Sequence, residues 1–301
     1  MEKRVLGKTG LEVSLLGIGL FEIGLLDRRD GVRQVTGLLN AALDMGINFL
    51  DTGECYYSSE DLIGKAVSGR RREFVLATKF GHAVESVDSP EWSKVTLAAS
   101  LDRSLRRLQT DHVDIIQLHS CTKDILEAGE VIEALFRARE AGKARYIGYS
   151  GDNDAALWAA RSGAFDTLQT SFNLVDQLAR KELLGIAEAN HLGIIIKRPI
   201  GNTVWGAAAR PGLSRGNYYE RAVAMSALGP LPDAPEDAVE MALGFIFSHP
   251  QVDTAIVGTT SLKHLKANVE TIEKRLPISP STVAELRRRF DILGKDWPQQ
   301  K

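Results

Sequence analysis

Phe74-Val75-Leu76-Ala77-Thr78 is a short, nearly unbroken apolar run, followed at once by Lys79. A strand with one wet face alternates apolar and polar residues. A run without alternation is buried on both faces, as in a parallel sheet covered by helices. Seven further runs of this kind occur, at residues 15–20, 47–50, 113–118, 144–149, 167–170, 194–197 and 254–257. Segments with helical spacing lie between them. Residues 31–45 place Val32, Val35, Leu38, Leu39, Ala42 and Leu43 on one face, and Gly46 follows as a C-cap. Residues 61–67 make a shorter helix, and Ser89-Pro90-Glu91 is expected to open one that runs to Leu108, with Pro at its first position. Residues 125–141, 152–161, 179–190, 235–248 and 261–271 complete the set. Eight strands, each followed by a helix, predict an α/β fold of the (β/α)8 TIM-barrel type. The doubly wound sheet is the rival, but it has fewer strands and a Gly-rich first turn.

Two segments stand outside the repeat. Residues 4–13 carry Gly7-Lys8-Thr9-Gly10, a turn between short β runs, and predict an N-terminal β-hairpin closing one barrel end. Residues 200–234 are rich in Gly and Pro without strong periodicity, which predicts a functional lid. The chain has 301 residues, enough for two small domains or for one barrel of roughly 250 residues plus insertions. No linker divides it, and a single barrel domain over residues 1–301 is expected.

Composition narrows the function. A formal charge of −2 and no long basic block argue against nucleic acid or an anionic membrane surface as partner. No run of about 18 apolar residues suggests a membrane span, and Met1-Glu2-Lys3-Arg4 leads into no secretory signal. Cys55 and Cys121 are too few for a disulfide framework, so a reduced, cytoplasmic protein is expected. Neither has a second Cys or a His at metal-ligand spacing, and no metal site is expected. Oligomeric state leaves no mark in the sequence.

In such a barrel the chemistry gathers where strands end and loops begin. Asp51 and Tyr56 follow the second strand, Lys79 the third, Gln117-Leu118-His119 the fourth, Ser150 the fifth, and Gln169 and Asn173 the sixth. Asp, Tyr, Lys and His make chemical sense together. A phenol with a pKa near 10 is a poor proton shuttle at neutral pH. An adjacent ammonium favours the phenolate and lowers that pKa. A buried carboxylate keeps the lysine charged, and a histidine can orient a carbonyl or relay its proton. Such a tyrosine can protonate a carbonyl oxygen as hydride reaches carbon, and hydride calls for a nicotinamide.

These residues lie in motifs that resemble the aldo-keto reductase family along nearly the whole chain. Residues 4–14 and Leu16-Gly17-Ile18-Gly19 are similar to its entry hairpin and first strand. Asn48-Phe49-Leu50-Asp51-Thr52-Gly53-Glu54-Cys55-Tyr56 resembles its second-strand motif, and Ser59-Glu60-Asp61-Leu62-Ile63-Gly64 the helix after it. Leu76-Ala77-Thr78-Lys79-Phe80-Gly81 resembles its lysine motif, and Asp114-Ile115-Ile116-Gln117-Leu118-His119 its histidine motif. The resemblance implies a catalytic tetrad of Asp51, Tyr56, Lys79 and His119. It also implies cofactor contacts at Ser150, Gln169, Lys197, Pro199, Gly258, Thr260 and Asn268, with NADP(H) as cofactor and NAD(H) as the alternative.

Some positions depart from the family pattern. Gly151 stands where an Asn usually grips the nicotinamide amide, with Asn153 as a substitute to examine. Lys197 stands where an aromatic usually stacks on the nicotinamide ring. Thr260 and His264 stand where basic residues are frequent, while Lys263 and Lys266 lie nearby and Ser261 opens a helix whose N–H groups can hold a phosphate. Tyr57 replaces a common Gly. Trp92 and Trp205 are candidate walls of a substrate pocket, and the histidines other than His119 read as structural.

The expected function is NADP(H)-dependent reduction of aldehydes or ketones to alcohols, with Tyr56 as general acid and a small-molecule carbonyl as substrate. The alternative is a nicotinamide-binding barrel acting as sensor or subunit, with vestigial catalysis. A metal-dependent barrel hydrolase would need a His-x-His pair or clustered carboxylates at strand ends, which are missing.

Overall fold

The computed structural model describes residues 1–27, 31–82, 88–212 and 216–300. Strands β1 (Lys3–Val5) and β2 (Glu12–Ser14) pair antiparallel, with Arg4 opposite Val13. Eight parallel strands follow: β3 (Leu16–Gly19), β4 (Phe49–Asp51), β5 (Val75–Phe80), β6 (Val113–His119), β7 (Ala144–Ser150), β8 (Thr167–Ser171), β9 (Gly193–Lys197) and β10 (Thr254–Gly258). They join in chain order, and β10 pairs with β3 to close the barrel. Each expected apolar run forms one of these strands.

The apolar residues divide into two layers. Phe49, Val75, Ala77, Ile115, Ile195 and Ile256 point inward, and Leu6, Leu11 and Val13 of the hairpin pack onto them from the N-terminal end. The hairpin therefore seals the bottom of the barrel with side chains, each buried leucine contributing about 1.5–3 kcal/mol. Its turn docks on β9. Lys8 N donates to His191 O at 2.8 Å, and a Cβ on Gly7 would lie 2.2 Å from Gly193 N. Gly7 also has φ +48°, so both its conformation and its closeness require glycine. The second layer lies between strands and helices, where Val35, Leu38, Leu39 and Ala42 of helix Gly31–Asp44 meet the outer face of the sheet.

Several helix boundaries differ from expectation. The helix expected to open at Pro90 starts at Lys94, because Trp92 has φ +62° and Ser93 is the cap, its Oγ accepting from Thr96 N at 3.2 Å. Residues 125–141 form two helices, Lys123–Ala128 and Glu130–Glu140, separated by Gly129 at φ +79°. Asp237 delays the next-to-last repeat helix to Ala238–Phe247 by accepting from Val239 N and Glu240 N. A terminal helix, Pro280–Leu293, was not anticipated, since it follows the last repeat; it buries Val283, Leu286 and Phe290 at helical spacing.

The expected lid is more ordered than a loop. It contains helix Tyr218–Ser226, fastened by Tyr218 Oη to Asp176 (2.8 Å) and Arg221 to Pro298 O (2.7 Å). Residues 213–215 of that segment lie outside the described residues. Among the described residues no helix is long and apolar enough to cross a membrane.

Candidate active site

Parallel closure brings every strand's C-terminal end to one rim. Asp51 ends β4, level with Ala77 of β5, and Lys79 of β5 lies level with Gln117 of β6. The segment after Asp51 stays attached to the β5 edge, with Thr52 N donating to Ala77 O and Glu54 N to Lys79 O. A tight turn, Tyr56 N to Gly53 O at 3.0 Å, then returns the phenol over Lys79. Helix Phe21–Gly24 presses on the same turn: a Cβ on Gly24 would lie 2.1 Å from Tyr56 O, and the Phe21 ring meets the Tyr56 ring edge-on at 5.2 Å.

Below the phenol lies a buried ion pair. Lys79 Nζ donates to Asp51 Oδ2 and, at 2.9 Å, to Thr52 O. Asp51 Oδ1 accepts from Gln117 Nε2 at 3.1 Å and Gln169 Nε2 at 2.8 Å. Asp51 and Lys79 are at most 2% exposed, so neither charge is stabilised by water. Burial works against the Lys79 ammonium, but Asp51 and Tyr56 outweigh it and raise its pKa. The pair is therefore ionised, with the carboxylate's second oxygen also occupied.

For Tyr56 the balance runs opposite to expectation. Burial pushes the phenol's pKa up, and the pull of Lys79 in the other direction only partly offsets it. Tyr56 is thus a phenol that keeps its proton at neutral pH while standing beside an ammonium suited to the phenolate. His119 ends β6 with its ring edge-on to Tyr56 at 5.6 Å. Burial first, then Lys79 and other nearby cations, hold its pKa well below the usual histidine value, so the imidazole is neutral. One rim thus carries a protonated phenol, a buried ammonium, a buried carboxylate and a neutral imidazole.

The expected cofactor residues have mixed placements. Ser150 Oγ donates to Gln169 Oε1 at 3.0 Å, so Gln169 spans Ser150 and Asp51. Both lie beside the tetrad near the C-terminal ends of β7 and β8, where a hydroxyl and an amide suit a carboxamide. Gly151 has a packing reason: a Cβ there would lie 2.3 Å from Tyr149 Oη, which donates to Cys121 O at 2.8 Å. The Tyr149 ring fills the space an Asn would need. Asn153 does not substitute for it, because its amide is tied to Gln299, donating to Gln299 O and accepting from Gln299 N at 2.9 Å.

Lys197 ends β9 with Nζ 2.9 Å from Asp152, whose other oxygen accepts from Ser171 N at 2.8 Å. Burial pulls Lys197 down although Asp152 pulls it up, while Asp152 itself stays below the usual carboxylate range despite burial. Pro199 is buried two residues on, past Arg198, whose Nη1 donates to Ser171 Oγ at 3.0 Å.

Next along the rim, between β9 and β3, Gly258 closes β10 and Ser261 caps helix Leu262–Glu270. The cap satisfies His264 N, while the N–H groups of the first turn before it have no partner within a helix. Asn268 is buried, Thr260 is half-buried, and Lys263 and Lys266 are exposed one turn apart. This arrangement suits an anionic phosphate. A Cβ on Gly258 would lie 2.2 Å from a Glu22 carboxylate oxygen, so a side chain there would push the Glu22 carboxylate aside.

Two residues at the rim had no expected role. Gln117 supports Asp51. His82, read as structural, lies in the mouth with its ring 5.2 Å from His119 and 5.5 Å from Trp92. Its place three residues past Lys79, on the exit from β5, was the available signal. Trp92 thus borders the mouth, whereas Trp205 lines a separate cleft with Met241 and Arg289. Cys121 is buried in the core and Cys55 is exposed, so they do not form a thiol pair at the mouth.

The model of the aldo/keto reductase family matches residues 15–288. The chain belongs to the aldo/keto reductase family. Among solved structures, this aldo/keto reductase is similar to one from Bacillus halodurans in its holo form, with 28% identity, a TM-score of 0.81 and 96% of each chain covered. Among curated proteins it is 26% identical to the uncharacterized oxidoreductase YqkF of Bacillus subtilis, over 91% of this chain and 92% of that one. It is 25% identical to the L-galactose dehydrogenase of Arabidopsis thaliana, over 99% and 97%. Membership makes it an oxidoreductase of NAD(P)-dependent carbonyl chemistry.

Proposed function

We propose that this chain reduces a small aldehyde or ketone to the alcohol, with Tyr56 as the proton donor and NADPH as the cofactor. The observation that carries the reading is the Tyr56 ring lying 5.1 Å from Lys79 Nζ, which Asp51 holds from the other side. A general acid must hold its proton before the reaction and release it during the reaction. Burial gives Tyr56 the first property. Lys79 gives it the second, since the phenolate left behind faces an ammonium that Asp51 keeps charged.

Neutral His119 can hydrogen-bond to the carbonyl oxygen and hold it toward Tyr56 without competing as an acid. Ser150 and Gln169 would hold the nicotinamide amide, with Lys197 and Pro199 bordering it. Gly258, Thr260 and Asn268 would hold the adenosine end, and Lys263 and Lys266 provide charge for the extra phosphate of NADPH. When bound, the reduced nicotinamide supplies hydride to the carbonyl carbon.

The test is cofactor oxidation with a panel of small aldehydes and ketones, run with NADPH and with NADH. Turnover with NADPH, and a higher KM for NADH, is expected. Tight cofactor binding without turnover on any carbonyl would overturn the reading in favour of a sensor or subunit.

A further inference from the structure

The mouth of the rim holds three side chains that the reduction does not use as a set. Cys55 follows β4, His82 follows β5 and His119 ends β6, so three adjacent strand ends converge there. Cys55 Sγ lies 3.5 Å from His119 Nδ1. One ligand atom from each of the three residues lies within 4.8 Å of the other two. A tetrahedral zinc ion with Zn–S near 2.3 Å and Zn–N near 2.0–2.1 Å has an S···N edge of about 3.6 Å and an N···N edge of about 3.4 Å. The Cys55–His119 edge already has the tetrahedral length. The edges to His82 need to shorten by at most about 1.4 Å, and that ring is over a third exposed.

The surroundings also suit a cation. Glu91 Oε1 lies 3.7 Å from His82 Nδ1, which puts a carboxylate beside the cluster without hydrogen-bonding the ring. Cys55 is exposed and in no disulfide. Burial of its thiol pushes the pKa up to about 11, so the metal has to displace the proton. One thiolate and two imidazoles select borderline-soft divalent cations over magnesium or calcium.

We propose that Cys55, His82 and His119 form a site for a divalent cation of the zinc class, and that its occupation reversibly shuts the active site. The thiol proton leaves to solvent as sulfur takes the metal. A solvent water completes the tetrahedron, so no redox partner is needed. The cation stands on the ring that packs edge-on against Tyr56, across the path of a carbonyl. The inhibitory consequence rests on the proposed reductase reading, whereas binding itself does not.

Cobalt(II) added to the metal-free protein is the probe, because a thiolate–cobalt charge-transfer band reports the Cys55 bond directly. One equivalent is expected to produce that band with tetrahedral visible bands. Cys55→Ser should abolish the charge-transfer band, and His82→Gln should weaken binding at least about 10-fold. Carbonyl reduction should fall in step with the band and return on adding a chelator. Cys55→Ser, with metal-free turnover unchanged, should resist zinc at concentrations that silence the parent. No band in the parent protein, or the same band in Cys55→Ser, would overturn the site. A normal band with full activity would overturn the inhibitory role alone. An enzyme without turnover on any carbonyl would still give the cobalt result, which separates failure of the site from failure of the proposed reaction.

Discussion

Replacing Asp51 with asparagine keeps the side chain's shape and removes one buried charge. In the parent, Oδ2 faces Lys79 Nζ and Oδ1 accepts from Gln117 and Gln169. An amide can present its oxygen to the two glutamines, but its NH2 then meets Nζ, donor against donor. Turned the other way, it meets two glutamine donors instead. Removing one member of a buried pair costs about 3–5 kcal/mol. The lower figure applies, because Lys79 can shed its proton rather than stay buried and charged. For 301 residues, about 2.1 cal/mol/K of unfolding entropy per residue converts about 3 kcal/mol into a fall in Tm of about 5 °C. Turnover should drop further than stability. A neutral Lys79 no longer stabilises the phenolate that Tyr56 leaves behind, at a cost of about 100- to 10,000-fold in kcat. Part of the activity should return as pH falls and Nζ regains its proton. Thermal melts and kcat across pH measure both effects. A Tm within about a degree of the parent's, with kcat within about threefold at pH 7, would mean that Asp51 does not keep Lys79 charged.

Two other predictions concern packing and titration. Gly151→Asn should restore the family residue yet destabilise the protein by about 2–4 kcal/mol, because it must displace the Tyr149 ring and break its bond to Cys121 O. Urea melts check it, and an unchanged midpoint would mean that Tyr149 does not exclude the Asn. Burial pushes Asp176 up to about 6, against the bonds from Gln300 N and Tyr218 Oη. The native state therefore binds this proton more tightly than the unfolded chain, so the penalty is full at pH 8 and relieved as pH falls through about 6. Asp176→Asn should accordingly be more favourable relative to the parent at pH 8 than at pH 4, by about 2–3 kcal/mol. The same difference at both pH values would refute the buried charge.

The barrel was legible because its strands are buried on both faces, and Phe74–Thr78 writes that burial as an apolar run. The rim was legible because parallel closure carries Asp51, Lys79 and His119 to one end wherever they lie in the chain. Two kinds of information were hidden. One is backbone conformation at a single residue: Trp92 and Gly129, both at positive φ, moved a helix start and split a helix. The other is the balance of opposing electrostatic effects. The sequence identified Lys79 as a neighbour that lowers the Tyr56 pKa, but not that burial would exceed it. Gly151 and Asn153 show the same limit in packing, since the Tyr149 ring folding back over Gly151 and Gln299 reaching Asn153 from the chain's far end decide what fits there.

Single-turnover carbonyl reduction by Tyr56→Phe, with cofactor binding followed in the same samples, isolates the proton that Tyr56 donates. The ring and its contact with Phe21 remain, and only the transferable proton is lost. Cofactor affinity should stay within about threefold of the parent while the hydride-transfer rate falls by about 100-fold or more. Reduction at the parent's rate with the phenol gone would mean that Tyr56 is not the proton donor.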